Sequence, residues 1–94
     1  MSNFGSSMAY SDMEYFKLKR LLNVETDVSG LINLGNNSDL PWIVSVGISS
    51  SYSDFTIDKI WCNQYGLWYA KIVGSDGNIK TNTTVSVIVL YSMK

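Results

Sequence analysis

The fold is decided by the stretch Trp42-Ile-Val-Ser-Val-Gly-Ile-Ser49, which directly follows Pro41. Successive side chains of a β-strand point to opposite faces, so a pattern that alternates at every residue indicates a strand. The alternation predicts one face formed by Trp42, Val44, Val46 and Ile48, and the other by Ile43, Ser45, Gly47 and Ser49. Because the first set is large and apolar and the second is mostly small or polar, we predict a strand with one wet face.

Three further strands are predicted after this one. The first of them places Phe55, Ile57 and Trp61 on one side. Asp-Gly and Gly-Asn pairs readily adopt the positive φ angles of tight hairpins, and both occur in the turn that precedes the last strand. The three strands are residues 55–63, 67–73 and 79–91, the last broken near Asn82, and the turns between them are residues 63–66 and 74–78.

The end of the last strand, Val85-Ser-Val-Ile-Val-Leu-Tyr91, is apolar at both alternating sets of positions after Ser86. A strand of this kind is central in its sheet or is covered on its second face. A short strand is also predicted at residues 31–34, between turn residues that include Gly30 and Gly35. The chain further contains three Trp, six Tyr and three Phe. This is more aromatic surface than one small core can hold, so we expect burial against other copies of the chain.

The N-terminal part of the sequence differs from the rest. Residues 1–10 are rich in Ser, Gly and Asn and are predicted to be a flexible lead-in. Residues 11–23 fit a short helix, because Ser11 and Glu14 match a capping box and acidic residues precede basic ones. Tyr15, Leu18 and Leu22 would form its apolar stripe, and Asn23 would end it. About eleven residues are too few for a stable isolated helix, so this helix must dock on the sheet.

These elements predict one domain over residues 1–94, with the β-domain proper at residues 24–94. Its fold class is mainly β: a small antiparallel sandwich or meander with one short N-terminal α-helix.

Composition excludes several classes of function. The net charge is −1, which leaves no electrostatic footprint for nucleic acid. The chain has no His and a single cysteine, Cys62, so it lacks a nucleophile–base pair, a thiolate zinc site and an internal disulfide. We therefore expect no enzyme activity, no metal and no cofactor. No signal peptide and no apolar run long enough to insert in a membrane are present, which predicts a protein made in a cytoplasm.

Two groups of polar and aromatic residues are candidates for ligand binding. In a meander, the loop 50–54 and the turn 74–78 emerge at the same end of the sheet. Their rim would combine an aromatic ring with carboxylate and amide groups, as sugar binding requires. The candidate ligand-binding residues are Tyr52, Asp54, Asp76 and Asn78 at this rim, and Tyr65 at the opposite end. The alternative is that these are ordinary turn residues, and that Trp42, Trp61 and Trp68 pack in the core or between subunits.

The Ser-, Asn-, Thr- and Gly-rich, charge-poor β-sequence that ends in Thr83-Thr-Val-Ser-Val-Ile-Val-Leu-Tyr91 resembles the C-terminal tip domains of bacteriophage tail fibres and receptor-binding proteins. The Trp-rich segment Trp61-Cys-Asn-Gln-Tyr-Gly-Leu-Trp-Tyr69 is similar in style. The resemblance covers about the last 55 residues and is one of composition and strand pattern. It implies a trimer of compact β-sandwiches that binds glycans or proteins on a host surface.

The leading hypothesis is therefore a non-enzymatic virion fibre domain, made in the host cytoplasm, that self-associates as a trimer and binds a host cell-surface glycan or protein. One alternative is a purely structural fibre or capsid assembly piece without a ligand. The other is a small inhibitor protein that covers a site on a host enzyme, although the eight acidic residues are spread along the chain rather than clustered.

Overall fold

The structure is a computed structural model that describes residues 15–49 and 54–94. The predicted lead-in, residues 11–14 of the predicted helix and residues 50–53 lie outside the described residues. The described parts contain strands and turns and no helix. The six antiparallel strands are β1 (Phe16–Glu25), β2 (Leu31–Asn36), β3 (Trp42–Ile48), β4 (Phe55–Cys62), β5 (Leu67–Gly74) and β6 (Thr84–Ser92).

The strands form two three-stranded sheets that enclose one hydrophobic core. Sheet I has the order β1-β6-β3, and sheet II has the order β2-β5-β4. The meander is wrong, because consecutive strands are neighbours only at β4 and β5. The antiparallel two-sheet alternative is confirmed, and so is the central position of the last strand, since β6 lies between β1 and β3.

The helix predicted at residues 11–23 is wrong where it is described, because residues Phe16–Glu25 form β1. This strand pairs with β6 from Phe16, opposite Ser92, to Glu25, opposite Thr84. Phe16 and Leu18 alternate with Lys17 and Lys19, as in a strand, although Leu18 also fits the helical stripe. Tertiary pairing rather than propensity decides the structure of short segments of this kind. The prediction that Asn23 ends a helix is also wrong: Asn23 has φ +54° and lies in a β-bulge of β1.

A β-bulge corrects the predicted faces of β3. The register with β6 shifts between Ile43 and Ser45. The extra residue, Val44, breaks the alternation, so Ile43, Val46 and Ile48 pack against the core instead of the predicted set. Trp42 and Val44, which we predicted with Val46 and Ile48, are exposed.

A second bulge has the same effect in β4. Its register with β5 shifts between Ile57 and Lys59. Phe55, Ile57 and Ile60 pack against the core, whereas Trp61 lies on the outer face of sheet II, opposite Tyr69. The prediction that Trp61 shares a side with Phe55 and Ile57 is therefore wrong.

The core lies between the inner faces of the two sheets. Its buried side chains come from β2, β5 and β6 and from the loop before β3: Ile32, Leu34, Leu40, Ala70, Ile72, Val85, Val87 and Val89. The half-buried Trp68 packs against them, and its indole Nε1 donates a 2.8 Å hydrogen bond to the carbonyl of Leu40. Core packing, the alternative we gave for the tryptophans, is thus observed for Trp68.

The predicted turn at residues 74–78 is confirmed. The amide of Gly77 donates to the carbonyl of Gly74, and the amide of Gly74 donates to the carbonyl of Asn78. The predicted break near Asn82 is also confirmed, because Asn82 has φ +47° and β6 begins two residues later. Upstream of the break, Ile79 forms only an isolated bridge with Val73.

Candidate functional site

Asp54, just before β4, organises the rim that the sequence predicted. Its Oδ1 accepts hydrogen bonds from the amide and the hydroxyl of Ser75, at 3.0 and 2.7 Å. Its Oδ2 forms an ion pair with the ammonium of Lys80, at 2.5 Å. The hydrogen bond from Lys80, and then those from Ser75, hold the pKa of Asp54 well below its ordinary value. The Asp54 carboxylate is therefore already occupied by protein donors.

The other rim residues lie in the adjacent turn. The Oδ1 of Asp76 accepts from the amide of Asn78, and its Oδ2 accepts from the side-chain amide of Asn78, both at 3.0 Å. Asp76 and Asn78 are both exposed, and they share this end of the molecule with Asp54 through the Asp54–Ser75 hydrogen bonds. Tyr52 lies outside the described residues. The carboxylates in this part of the rim already accept hydrogen bonds from the turn itself, which leaves few free acceptors for a ligand.

Tyr65 lies at the other end of the β4–β5 hairpin, in the turn that joins the two strands. Its side chain is 76% exposed. Eight residues of strand separate the two ends, which corresponds to about 25 Å. One small ligand cannot contact both the rim and Tyr65, so the predicted site residues fall into two separate groups.

The outer face of sheet I carries several large apolar side chains. Residues directly opposite each other in antiparallel strands share a face, and Phe16 and Trp42 both pair with Ser92 while Leu18 pairs with Leu90. Leu18 is 61% and Trp42 62% exposed. We call this surface the apolar face and define it as Phe16, Leu18, Trp42, Ile88 and Leu90.

Sequence reasoning predicted the apolar surplus of β6 but missed Leu18 and Trp42 as its neighbours. They were missed because β1 was predicted to be a helix and because the bulge at Val44 was not predicted. A signal was present for β1, since Phe16-Lys-Leu-Lys alternates as a strand does.

The outer face of sheet II carries a different set of side chains. Trp61 lies opposite Tyr69, with ring centroids 5.9 Å apart and ring planes inclined by 27°. Lys59 lies opposite Lys71 in the next row of the same face, and the ammonium of Lys59 is 5.1 Å from the indole centroid of Trp61. Asn33 of β2 lies on the other side of Tyr69. We call Asn33, Lys59, Trp61, Tyr69 and Lys71 the aromatic–lysine platform.

Residues 15–49 and 54–94 enclose no pocket and bring no three His, Cys, Asp or Glu side chains together as metal ligands. The same residues form no helix that is long and apolar enough to cross a membrane. The features that remain are the rim, the Tyr65 turn, the apolar face and the aromatic–lysine platform, all of which are surfaces.

Comparison with known protein families, with curated proteins and with solved structures gives no match for this chain.

Proposed function

We propose that this protein is a non-enzymatic virion fibre domain whose copies associate as a trimer through the apolar face and contact a host-surface receptor such as a glycan. The observation that carries the proposal is the apolar face itself. Exposed apolar area is unfavourable in water by about 25 cal/mol per Å², and large continuous patches of this kind mark interaction sites. Other copies of the chain offer the same apolar surface, so association through it removes these side chains from water.

The composition of the apolar face favours burial. Its central row is Leu18 opposite Leu90, and the neighbouring positions are Ile88, Gly47 and Ser45. Two charged side chains of β1 also lie on the outer face of sheet I, Arg20 opposite Ile88 and Glu25 opposite Thr84, both toward one end. Interface cores are depleted in charge and enriched in aromatic residues, which fits Phe16 and Trp42 at the other end.

Association through the face is favoured over pairing through the β1 edge of sheet I. β1 is an edge strand of sheet I, and its inner-face positions carry Lys17 and Lys19. Lys19 reaches across to sheet II, where its ammonium donates a 3.0 Å hydrogen bond to the carbonyl of Leu34. An inward-pointing lysine such as Lys19 on an edge strand opposes edge-to-edge pairing with another chain.

The trimer and the fibre come from the resemblance to tail-fibre tip domains, and the geometry is compatible with them. Three sheets can face a common three-fold axis, so that the apolar face of each copy is covered by those of its two neighbours, one part of the face by each. The receptor role also rests on that resemblance, and on the exposed aromatic and polar side chains that lie away from the apolar face.

Sedimentation equilibrium over a micromolar concentration series tests the proposal. We expect the mass to approach three copies. Leu18→Lys should weaken association at least tenfold, on the order of the effect of a charge placed in an interface core. Val28→Lys is the matched control, because Val28 is 75% exposed in the turn between β1 and β2, outside the apolar face. A wild-type monomer at all concentrations would refute self-association.

Binding of the wild-type protein to host cells and to a glycan array then separates the two roles. A trimer that binds neither would leave the structural fibre or capsid piece as the function and would refute receptor binding.

A further inference from the structure

We propose that the aromatic–lysine platform binds an acidic saccharide, that is, a sugar chain carrying carboxylate groups. This deepens the proposed function and rests on its receptor-binding half, because it names the surface and the ligand class. It does not use the apolar face, which lies on the other sheet.

The aromatic half of the platform supplies an apolar contact of the right kind. Trp61 and Tyr69 stack against each other on a sheet face, with ring centroids 5.9 Å apart, and both rings are only half-buried. Aromatic rings of this sort contact the C–H groups of sugars, while the phenol and indole can hydrogen-bond to hydroxyls. Beside them, the Oδ1 of Asn33 accepts from the amide of Gly35. Its Nδ2 donates to no group among the described residues and is available to a ligand.

The lysine half supplies the charge selectivity. Lys59 and Lys71 lie directly opposite each other, an arrangement in which like charges repel. Within the described ranges, neither ammonium group has a carboxylate within 4 Å. The ion pair found there joins Lys80 and Asp54 instead. The nearest acid along β4, Asp58, is the extra residue of the bulge and pairs with neither lysine. A ligand carboxylate between the two ammonium groups would relieve the repulsion through charge-assisted hydrogen bonds.

The same chemistry argues against a nucleic acid. The platform has two lysines and no arginine, whereas affinity for a phosphate backbone grows with the number of phosphates neutralised. The chain as a whole carries a net charge of −1. A short anionic sugar needs only one or two cationic contacts, which the platform has.

Two-dimensional NMR of the full chain tests the inference, because the indole N–H groups of Trp42, Trp61 and Trp68 give separate signals. The probes are a hyaluronan hexasaccharide and 3′-sialyllactose, which carry carboxylates, against chitohexaose and lactose as neutral counterparts, and a thymidine oligonucleotide. We expect at least one acidic probe to shift the indole signal of Trp61, with smaller effects at Trp42 and Trp68. The neutral sugars should bind about tenfold more weakly, as loss of a charge-assisted contact implies.

Lys71→Gln and Lys59→Gln remove the charges without changing the rings, and each should weaken binding of the acidic probe about tenfold. Lys17→Gln, an exposed lysine of β1 on the other sheet, is the matched control and should bind as the wild type does. Trp61→Ala should abolish the interaction. Since that variant can also affect folding, the two lysine variants, checked by thermal unfolding, carry the argument.

The inference is overturned if neither acidic probe moves the Trp61 signal, if Lys71→Gln binds unchanged, or if the oligonucleotide binds more tightly than both saccharides. Shifts confined to Asp76 and Asn78 would also overturn it, while leaving receptor binding intact at the rim. The mass measured in the same samples reports self-association separately, so failure of the trimer and failure of the platform remain distinguishable.

Discussion

The hydroxyl of Thr26 donates a 2.5 Å hydrogen bond to the backbone carbonyl of Lys80, 54 positions further along the chain. The same oxygen accepts a 2.9 Å hydrogen bond from the amide of Thr83. Thr26 follows directly on β1 and is 1% exposed, although it is polar. One hydroxyl therefore satisfies two backbone groups in the segment that leads into β6, the central strand of sheet I.

Thr26→Val keeps the shape of the side chain and removes only these hydrogen bonds. We expect the free energy of unfolding to fall by about 1–3 kcal/mol, because the carbonyl of Lys80 and the amide of Thr83 lose a partner. Urea denaturation followed by tryptophan fluorescence measures the change. Thr56→Val on the exposed side of β4 is the control, and it should alter stability by no more than about 0.5 kcal/mol. Equal midpoints for the two variants would contradict the role assigned to Thr26.

Much of the strand content was predictable from local signals. Alternation indicated β3, and the turn residues around 63–66 and 74–78 bounded β5. The apolar end of β6 indicated a central strand, and β6 does lie between β1 and β3. Its Val85, Val87 and Val89 are in the core, and Leu90 lies beside Leu18 on the outer face. The order of the strands in the sheets could not be predicted from local sequence, because β6 pairs with β1 and β3, which are distant from it along the chain.

The errors in assigning side chains to the faces of β3 and β4 share one physical cause. A single extra residue in a strand reverses the direction of every side chain after it relative to a strict alternation. Val44 and Asp58 are such residues, so Trp42 and Trp61 were each predicted on the wrong face. The aromatic–lysine platform was missed for the same reason, because the face on which Trp61 lies depends on the bulge at Asp58.

Gly30 occupies a position where both conformation and space require glycine. Its φ is +76°, and a Cβ there would overlap Cγ2 of Ile79 and lie 3.0 Å from the carbonyl oxygen of Ile72. Gly30→Ala should therefore lower the free energy of unfolding by more than about 2 kcal/mol, the sum of a left-handed alanine and an overpacked contact. The measurement is again a urea denaturation curve.

Gly77→Ala is the matched control for this substitution. Gly77 has a similar φ of +83°, but a Cβ there would meet no atom within 4 Å. Only the conformational cost remains, about 1 kcal/mol. If the two alanine variants were equally stable, the contact between Gly30 and Ile79 would have no energetic weight.

The ion pair between Asp54 and Lys80 makes part of the stability depend on pH. Since the fold lowers the pKa of Asp54 below its ordinary 3.8, the ionised carboxylate is favoured in the folded state. The resulting stabilisation is present above pH 3.8 and is lost as the pH falls below it toward the pKa of the folded protein. Asp54→Asn removes the contribution, so the difference in urea midpoint between wild type and variant should shrink from pH 7 to pH 2.

Asp58→Asn serves as the control for this titration, because the carboxylate of Asp58 forms no hydrogen bond or ion pair within the described ranges. Its midpoint at pH 7 should lie close to that of the wild type. Salt at 1 M should reduce the effect of Asp54→Asn at pH 7, since the pair is exposed to solvent and is screened. A difference that stays constant from pH 7 to pH 2 would show that the ion pair does not stabilise the fold.

Tyr65 lies close to the platform along the chain, three residues beyond the end of β4, and its side chain extends into solvent. Its backbone amide is held by the side chain of Asn63, at 2.9 Å, so the turn does not depend on the phenol ring. Tyr65→Ala should leave the unfolding midpoint unchanged and weaken binding to host cells about fivefold, the effect of losing an aromatic anchor. Val28→Ala, an equally exposed apolar residue in another turn, should change neither quantity. Unchanged cell binding by Tyr65→Ala would remove this residue from the receptor site and leave the rim or the platform as the contact.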